Sequence, residues 1–243
     1  MEIYKNLFED NRKIFALLID PENQDKNSLK RILEKASETG VDIILAGGSL
    51  TSVPIDETIQ VIKEHAACPV VLFPGNLLQL SAKADGILLL SLISGRNPEY
   101  LIGNHVLASR FLKKSGLEII PTGYILIDGH HLSSVEYISN TRPIPESKTD
   151  IIVATALAGE QLGLKLIYLE AGSGANERVR EETVKQVKDQ ISIPLIVGGG
   201  IRTPADIRNL YKAGANGVVV GSAIEQNYEI LQSLAAVKDE FSD

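Results

Sequence analysis

Eight short, nearly all-apolar runs recur along this 243-residue chain, each separated from the next by a segment long enough to carry a helix or a turn. They are Ile14 to Asp20, Asp42 to Gly48, Pro69 to Pro74, Gly86 to Leu92, Glu118 to Asp128, Leu166 to Gly172, Pro194 to Gly200 and Gly217 to Ser222. Runs without polar alternation bury both faces, as parallel strands covered by crossover helices do. Helical periodicity falls between them, over Lys26 to Thr39, Ile55 to Ala66, Pro98 to Ser115, Thr149 to Leu162, Glu177 to Gln190, Pro204 to Ala213 and Ile224 to Glu240. Thr203 before Pro204 reads as a helix start, and Gly40, Gly116, Gly163 and Gly214 as left-handed helix stops. Eight strands alternating with helices predict an α/β fold, a closed (β/α)8 TIM barrel, with an open doubly wound sheet as the alternative. The length suits one such barrel, typically about 250 residues, so residues 1–243 are expected to form a single domain.

One connection is too short for the pattern. Only Gly75 to Asp85 separates the third strand from the fourth, so the helix there is expected to be short or missing. A gap in the outer ring lined by Leu77, Leu78 and Leu80 could take a long hydrocarbon; a loop packed back over the core is the equal alternative. The longest irregular stretch, Asp128 to Lys148, carries His130 and His131, but no third metal ligand stands at a suitable spacing. Solvated loop histidines are the expectation.

Charge narrows the function. A net charge of −7 with no Lys/Arg block argues against nucleic acid as a partner. It leaves anionic small molecules open, because backbone N–H groups at helix starts bind phosphate without basic side chains. Cys68 is the only cysteine, which excludes an intramolecular disulfide. With no signal-like segment and no apolar run near the roughly 20 residues of a membrane span, a cytoplasmic enzyme with at most peripheral membrane contact is expected.

TIM barrels carry their chemistry where strands end, and phosphate is commonly bound after strands seven and eight. Here the seventh ends in Gly198, Gly199 and Gly200, and the eighth in Gly221 and Ser222. Two glycine-bearing turns at consecutive late ends favour a phosphate clasp over mere chain reversal. The sixth strand ends YLEAGSG, with Tyr168 and Glu170 on one face by period-two alternation and Gly172, Ser173 and Gly174 in the turn. A carboxylate that interrupts an apolar strand at the barrel mouth points to catalysis or ligand binding. Asp20 and Ser49, ending the first two strands, suit Mg2+, which takes few protein ligands and completes its shell with water and phosphate oxygens. Taken singly, each is better explained as a helix cap, and only together do they favour a metal, modestly. Tyr124, on the fifth strand, is either an entrance residue or a core tyrosine.

The motifs LLIDPEN (Leu17 to Asn23), ILAGGSLTS (Ile44 to Ser52), YLEAGSG (Tyr168 to Gly174), IVGGGIRTPAD (Ile196 to Asp206) and VVVGSAIEQN (Val218 to Asn227) together resemble geranylgeranylglyceryl phosphate synthases and their heptaprenyl relatives. The resemblance spans nearly the whole chain. It implies a Mg2+-dependent prenyltransferase that ether-links sn-glycerol 1-phosphate to an allylic polyprenyl diphosphate, geranylgeranyl diphosphate in the family's archaeal branch, and releases diphosphate. It assigns the metal to Asp20 and Ser49. Glycerol phosphate falls to Tyr168, Leu169, Glu170, Ala171, Gly172, Ser173, Gly174, Gly199, Gly200, Gly221 and Ser222, with Glu170 beside the attacking hydroxyl. Heptaprenyl members resemble KLDP at the first strand, whereas Leu18 stands at the lysine position here, so the archaeal-like branch is the closer match. Thiamin-phosphate or indole-glycerol-phosphate type synthases, or a non-catalytic phosphate sensor, are the competing readings; the strand-end lysines of indole-glycerol-phosphate synthases are missing. A symmetric oligomer, at least a dimer, is expected.

Overall fold

The computed structural model describes residues 2–8, 12–23 and 25–241. Among them, eight parallel strands close into a barrel in sequence order, each pairing with its chain neighbours and β1 with β8. The strands are β1 (Ile14–Ile19), β2 (Ile43–Ala46), β3 (Val70–Leu72), β4 (Gly86–Leu92), β5 (Glu118–Leu126), β6 (Leu166–Glu170), β7 (Leu195–Gly198) and β8 (Gly217–Val220). The alternation thus closes, and the open-sheet alternative falls away.

Period-two alternation divides the strand residues between two cores. Ile14, Ala16, Leu45, Val71, Leu88, Tyr124, Tyr168 and Val219 fill the barrel, while Phe15, Leu17, Ile44, Ile125, Leu169 and Val197 pack outward against the helices. Burying each aliphatic side chain of this kind contributes about 1.5–3 kcal/mol, and a one-residue slip would exchange the two sets. Helix α1 (Ile3–Phe8), unforeseen in the charged N-terminal stretch, closes the bottom of the barrel. Its Ile3 and Leu7 join the interior core, and the N–H groups of Ile3 and Tyr4 donate to the Glu118 carboxylate.

The outer ring contains α2 (Lys26–Glu38) and α3 (Ile55–His65), then α4 (Asn104–Ser115), which follows one wide π-turn over Glu99–Gly103. After β5 come α5 (Ser134–Ser139) and α6 (Thr149–Gln161), followed by α7 (Glu181–Lys188) and α8 (Pro204–Lys212). Thr203 forms a capping box with Asp206 at the start of α8, and the four glycine stops adopt φ between +73° and +109°. Between β3 and β4 only a single turn, Leu77–Gln79, replaces the crossover helix. The C-terminal segment is interrupted, giving α9 (Ser222–Gln226) and α10 (Leu231–Ala235), because extended Asn227 recaps the chain by accepting from the Glu229 N–H.

Candidate active site

Two cavities open side by side at the C-terminal ends of the strands. The polar one, about 1010 Å3 including its open mouth, is walled by the ends of every strand except β4, with Asp20, Ser49, Tyr124, Tyr168, Glu170 and Gly200 among its lining. The apolar one, about 850 Å3, runs outward through the gap left between β3 and β4. Leu77, Leu80, Ile87, Leu89 and Tyr100 line it, and α4 borders it with His105 and Ala108. Gly48, Ser49, Phe73, Tyr124 and Val135 line both cavities, so the two meet at one seam.

The side formed by the last three strand ends is built from main chain. Gly199 and Gly200, at φ +81° and +70°, turn β7 toward α8. A Cβ on Gly199 would stand 2.4 Å from Glu170 Oε1, so glycine is required by close approach as well as by φ. Across the mouth Ser173 and Ser222 bring their hydroxyls to 3.1 Å, which joins the turn after β6 to the start of α9. Arg202 braces the same region, donating to Ala175 O at 2.5 Å and to Gly200 O at 3.2 Å. The turns after β6, β7 and β8 therefore converge on one small volume.

Glu170 ends β6 inside the barrel, 5% exposed. Burial lifts its carboxyl above the usual carboxylate range, while the neighbouring Tyr168 hydroxyl and the Gly172 N–H, donating to Oε1 at 2.7 Å, pull the other way. A carboxylate so placed is a better proton acceptor than one in water. Burial and then the Glu170 charge push the Tyr168 and Tyr124 phenols far upward, so both stay protonated. The buried Tyr168 hydroxyl stands beside the Glu170 carboxylate at the cavity wall. Phe73, Tyr124 and Tyr168 form an aromatic trio with ring centroids 5.3–6.1 Å apart at the seam.

Asp20 and Ser49 stand on the opposite wall. Asp20 Oδ1 accepts the Glu22 N–H at 3.0 Å, capping the short turn Pro21–Asn23, and burial raises its carboxyl. Ser49 caps no helix, since Pro54 occupies the N-cap of α3. A Cβ on Gly48 would lie 2.4 Å from Asp20 Oδ2, so this glycine lets the carboxylate approach the loop after β2. Gln79, fully buried in the abbreviated β3–β4 connection, fixes that loop; its Oε1 accepts the N–H groups of Gly48 and Gly75, and its Nε2 donates to Gly48 O at 2.7 Å.

Of the residues singled out from sequence, Asp20, Ser49, Tyr124, Tyr168, Glu170, Ser173, Gly174, Gly199, Gly200, Gly221 and Ser222 all face the polar cavity. Leu169 and Ala171 do not, because alternation turns their side chains into the outer core; they can offer only main chain. Gly172 serves Glu170 through its N–H. Leu78 is 87% exposed and lies outside the groove that Leu77 and Leu80 line, a correction that follows from the turn projecting it to solvent. His130 is joined by Glu146 and Glu177 in space, with Nε2 at 3.4 Å and 4.0 Å from their oxygens. Sequence spacing could not reveal these partners, which come from two different loops; Arg180 also pairs with Glu146, making the group an ion network. Sequence reasoning missed Phe73, Gln79 and Arg202. Arg202 lay inside the quoted IVGGGIRTPAD motif, whereas an apolar-flanked glutamine in a short connection carries no distinctive signal.

Fold and site together describe a (β/α)8 barrel whose last three strand ends converge on a polar cavity. Residues 7–239 match the PcrB family, and the chain belongs to it. It is 46% identical to the geranylgeranylglyceryl phosphate synthase of Spirosoma linguale over 100% of this chain and 98% of that protein, and 41% identical to that of Pyrococcus abyssi over 95% and 92%. Among solved structures, the (S)-3-O-geranylgeranylglyceryl phosphate synthase of Thermoplasma acidophilum in complex with its substrate sn-glycerol-1-phosphate superposes with a TM-score of 0.91 at 35% identity, covering 98% of this chain and 97% of that one. The thiamine phosphate pyrophosphorylase of Pyrococcus furiosus, at TM-score 0.57 and 16% identity, shares the fold alone.

Proposed function

We propose that this protein is a prenyltransferase that joins sn-glycerol 1-phosphate to an allylic polyprenyl diphosphate, geranylgeranyl diphosphate in the first instance, through an ether bond. The observation that carries this reading is the seam. A polar cavity with an anion clasp and an apolar groove meet at Ser49, Phe73 and Tyr124, as the joining of a phosphate-bearing alcohol to a hydrocarbon diphosphate requires. The family relatives and the glycerol-phosphate complex of the Thermoplasma acidophilum protein support the same pair of substrates.

In this reading the glycines after β6, β7 and β8, with Ser173 and Ser222, hold the phosphate and present the glycerol hydroxyl to Glu170. Glu170 accepts the hydroxyl proton as the oxygen attacks the allylic carbon. The carbon–oxygen bond to diphosphate breaks as the ether bond forms, and diphosphate leaves. Holding both partners at one seam makes the attack effectively intramolecular. Asp20 and Ser49 fit a divalent cation, a carboxylate and a hydroxyl beside a glycine that no Cβ could replace. Mg2+ bound there would act as a Lewis acid toward the leaving diphosphate. The phenols of Tyr124 and Tyr168 stay neutral and shield the allylic carbon from water.

We also propose at least a dimer, since α4 and the turn before it expose Ile102, Val106, Leu107 and Phe111; multi-angle light scattering tests it. The functional test is incubation with Mg2+, both enantiomers of glycerol phosphate and prenyl diphosphates of graded length, with mass analysis of the extracted lipid. A prenyl ether of sn-glycerol 1-phosphate is expected. Thiamin phosphate formation, or no lipid from any pair, would overturn the assignment.

A further inference from the structure

The loops that line the apolar groove also carry large hydrophobic side chains pointing away from it. Leu50 follows β2, Leu78 lies in the β3–β4 turn, and Leu132 and Tyr137 belong to the segment after β5; they are 65%, 87%, 69% and 79% exposed. Ser49, Leu77 and Ile138, the chain neighbours of Leu50, Leu78 and Tyr137, line the groove, and Leu132 stands three residues before Val135, which lines it too, so the four belong to the segments at its rim. Isolated exposed leucines need no explanation, but three of them with a tyrosine at the mouth of one apolar channel form a patch.

Charge is nearly missing from the same tips. Residues 50–54, 74–80 and 131–140 contain one Asp, Glu, Lys or Arg among twenty-two, Glu136, in a chain that is 23% charged. Glu22 lies against this surface, its carboxylate accepting the Ser52 N–H at 2.7 Å. A surface of Leu and Tyr interspersed with Ser, Thr, Asn and Gln suits the boundary between lipid headgroups and acyl chains, where tyrosine is enriched.

Resting on the prenyl-transfer reading, we propose that this rim docks the barrel mouth onto a neutral bilayer surface, so that the polyprenyl chain passes between membrane and groove without crossing water. The occupant follows from the groove. Each CH2 of a polyprenyl chain removed from water is favoured by about 0.8 kcal/mol, so substrate and lipid product alike reside in bilayers. A channel for such a chain whose rim faced bulk water would have to extract it against that gradient. The acidic balance of the protein, −7 overall, and the lack of basic side chains on the tips favour zwitterionic over anionic lipid.

The chain contains no tryptophan, so Tyr137→Trp introduces a single fluorescent reporter on the rim. With phosphatidylcholine vesicles its emission should shift to the blue and be quenched by brominated acyl chains. Added phosphatidylglycerol should weaken both effects. In flotation assays the full-length protein should rise with the vesicles, and Leu78→Asp/Leu132→Asp should lower partitioning by about tenfold or more while leaving far-UV circular dichroism and turnover of a short, water-soluble allylic diphosphate unchanged. Emission unmoved by vesicles, equal flotation of the double variant, or a smaller molecular mass of that variant in light scattering would overturn docking, the last by assigning the rim to a second copy of the chain. A protein that floats but makes no prenyl ether would count against prenyl transfer and leave docking standing.

Discussion

The two halves of the barrel mouth are built by opposite means. On the side of β6, β7 and β8 the site is main chain, with glycines at positive φ, converging turns and few side chains beyond Glu170, Ser173 and Ser222. On the side of β2, β3 and β4 it is side chain and a missing helix, a groove of Leu, Ile and Tyr opened by a connection, residues 73–85, that holds only one short turn. In the proposed reading the difference follows from the ligands. A phosphate is recognised by fixed N–H groups, which tolerate little change, whereas a hydrocarbon needs only volume and apolar walls, which many side chains supply. The first half should therefore respond to substitution in chemistry and acceptor binding, the second in donor binding alone.

Glu170→Gln provides the largest test of that division. Loss of the proton acceptor should lower single-turnover rates about 100-fold or more, while calorimetry should find glycerol phosphate binding nearly unchanged. Unaltered turnover would remove Glu170 from the chemistry. On the groove side, Leu77→Asn should raise the KM for prenyl diphosphate by roughly tenfold through lost apolar burial and leave glycerol phosphate affinity alone. A parallel loss of acceptor binding would show that the halves are not independent.

Gln79→Ala crosses the seam. It leaves the Gly48 and Gly75 N–H groups without their acceptor, a loss of about 1–3 kcal/mol in denaturant unfolding, and should raise the Mg2+ concentration needed for activity by loosening Ser49. Gly199→Ala forces a Cβ toward Glu170 at φ +81° and should cost about 1–3 kcal/mol, weakening glycerol phosphate binding with no change in prenyl diphosphate affinity. The smallest effect expected is in pH. Glu170 must be ionised to accept a proton, and burial raises its carboxyl, so the rate should fall with decreasing pH through a midpoint above that of an ordinary carboxylate. A limb at or below the ordinary carboxylate value would contradict the buried base.

How far the sequence revealed this arrangement depends on the kind of signal. Strand number, barrel closure, the short β3–β4 link and the glycine turns at the strand ends were legible because each is a local pattern with a single structural outcome. Glu170 stood out as a charge inside an apolar run. Leu169 and Ala171, taken from a contiguous motif, are a different case, since a motif names positions while alternation decides which way they face. Long-range partners left no trace. The plugging helix α1, the carboxylates beside His130 and the bracing of Gly48 by Gln79 each join residues from separate loops, and the break at Asn227 depends on one side chain that prefers capping to continuing a helix.

The central claim is that two ligands bind at once in adjoining cavities and react across the seam. A crystal structure of the Glu170→Gln variant with sn-glycerol 1-phosphate and a prenyl diphosphate tests it most directly. The phosphate should lie against Gly174, Gly200 and Ser222, the prenyl chain between Leu77 and Ala108, and the allylic carbon beside Tyr124 facing the glycerol hydroxyl. A prenyl chain outside that groove, or two ligands competing for one cavity, would contradict the account.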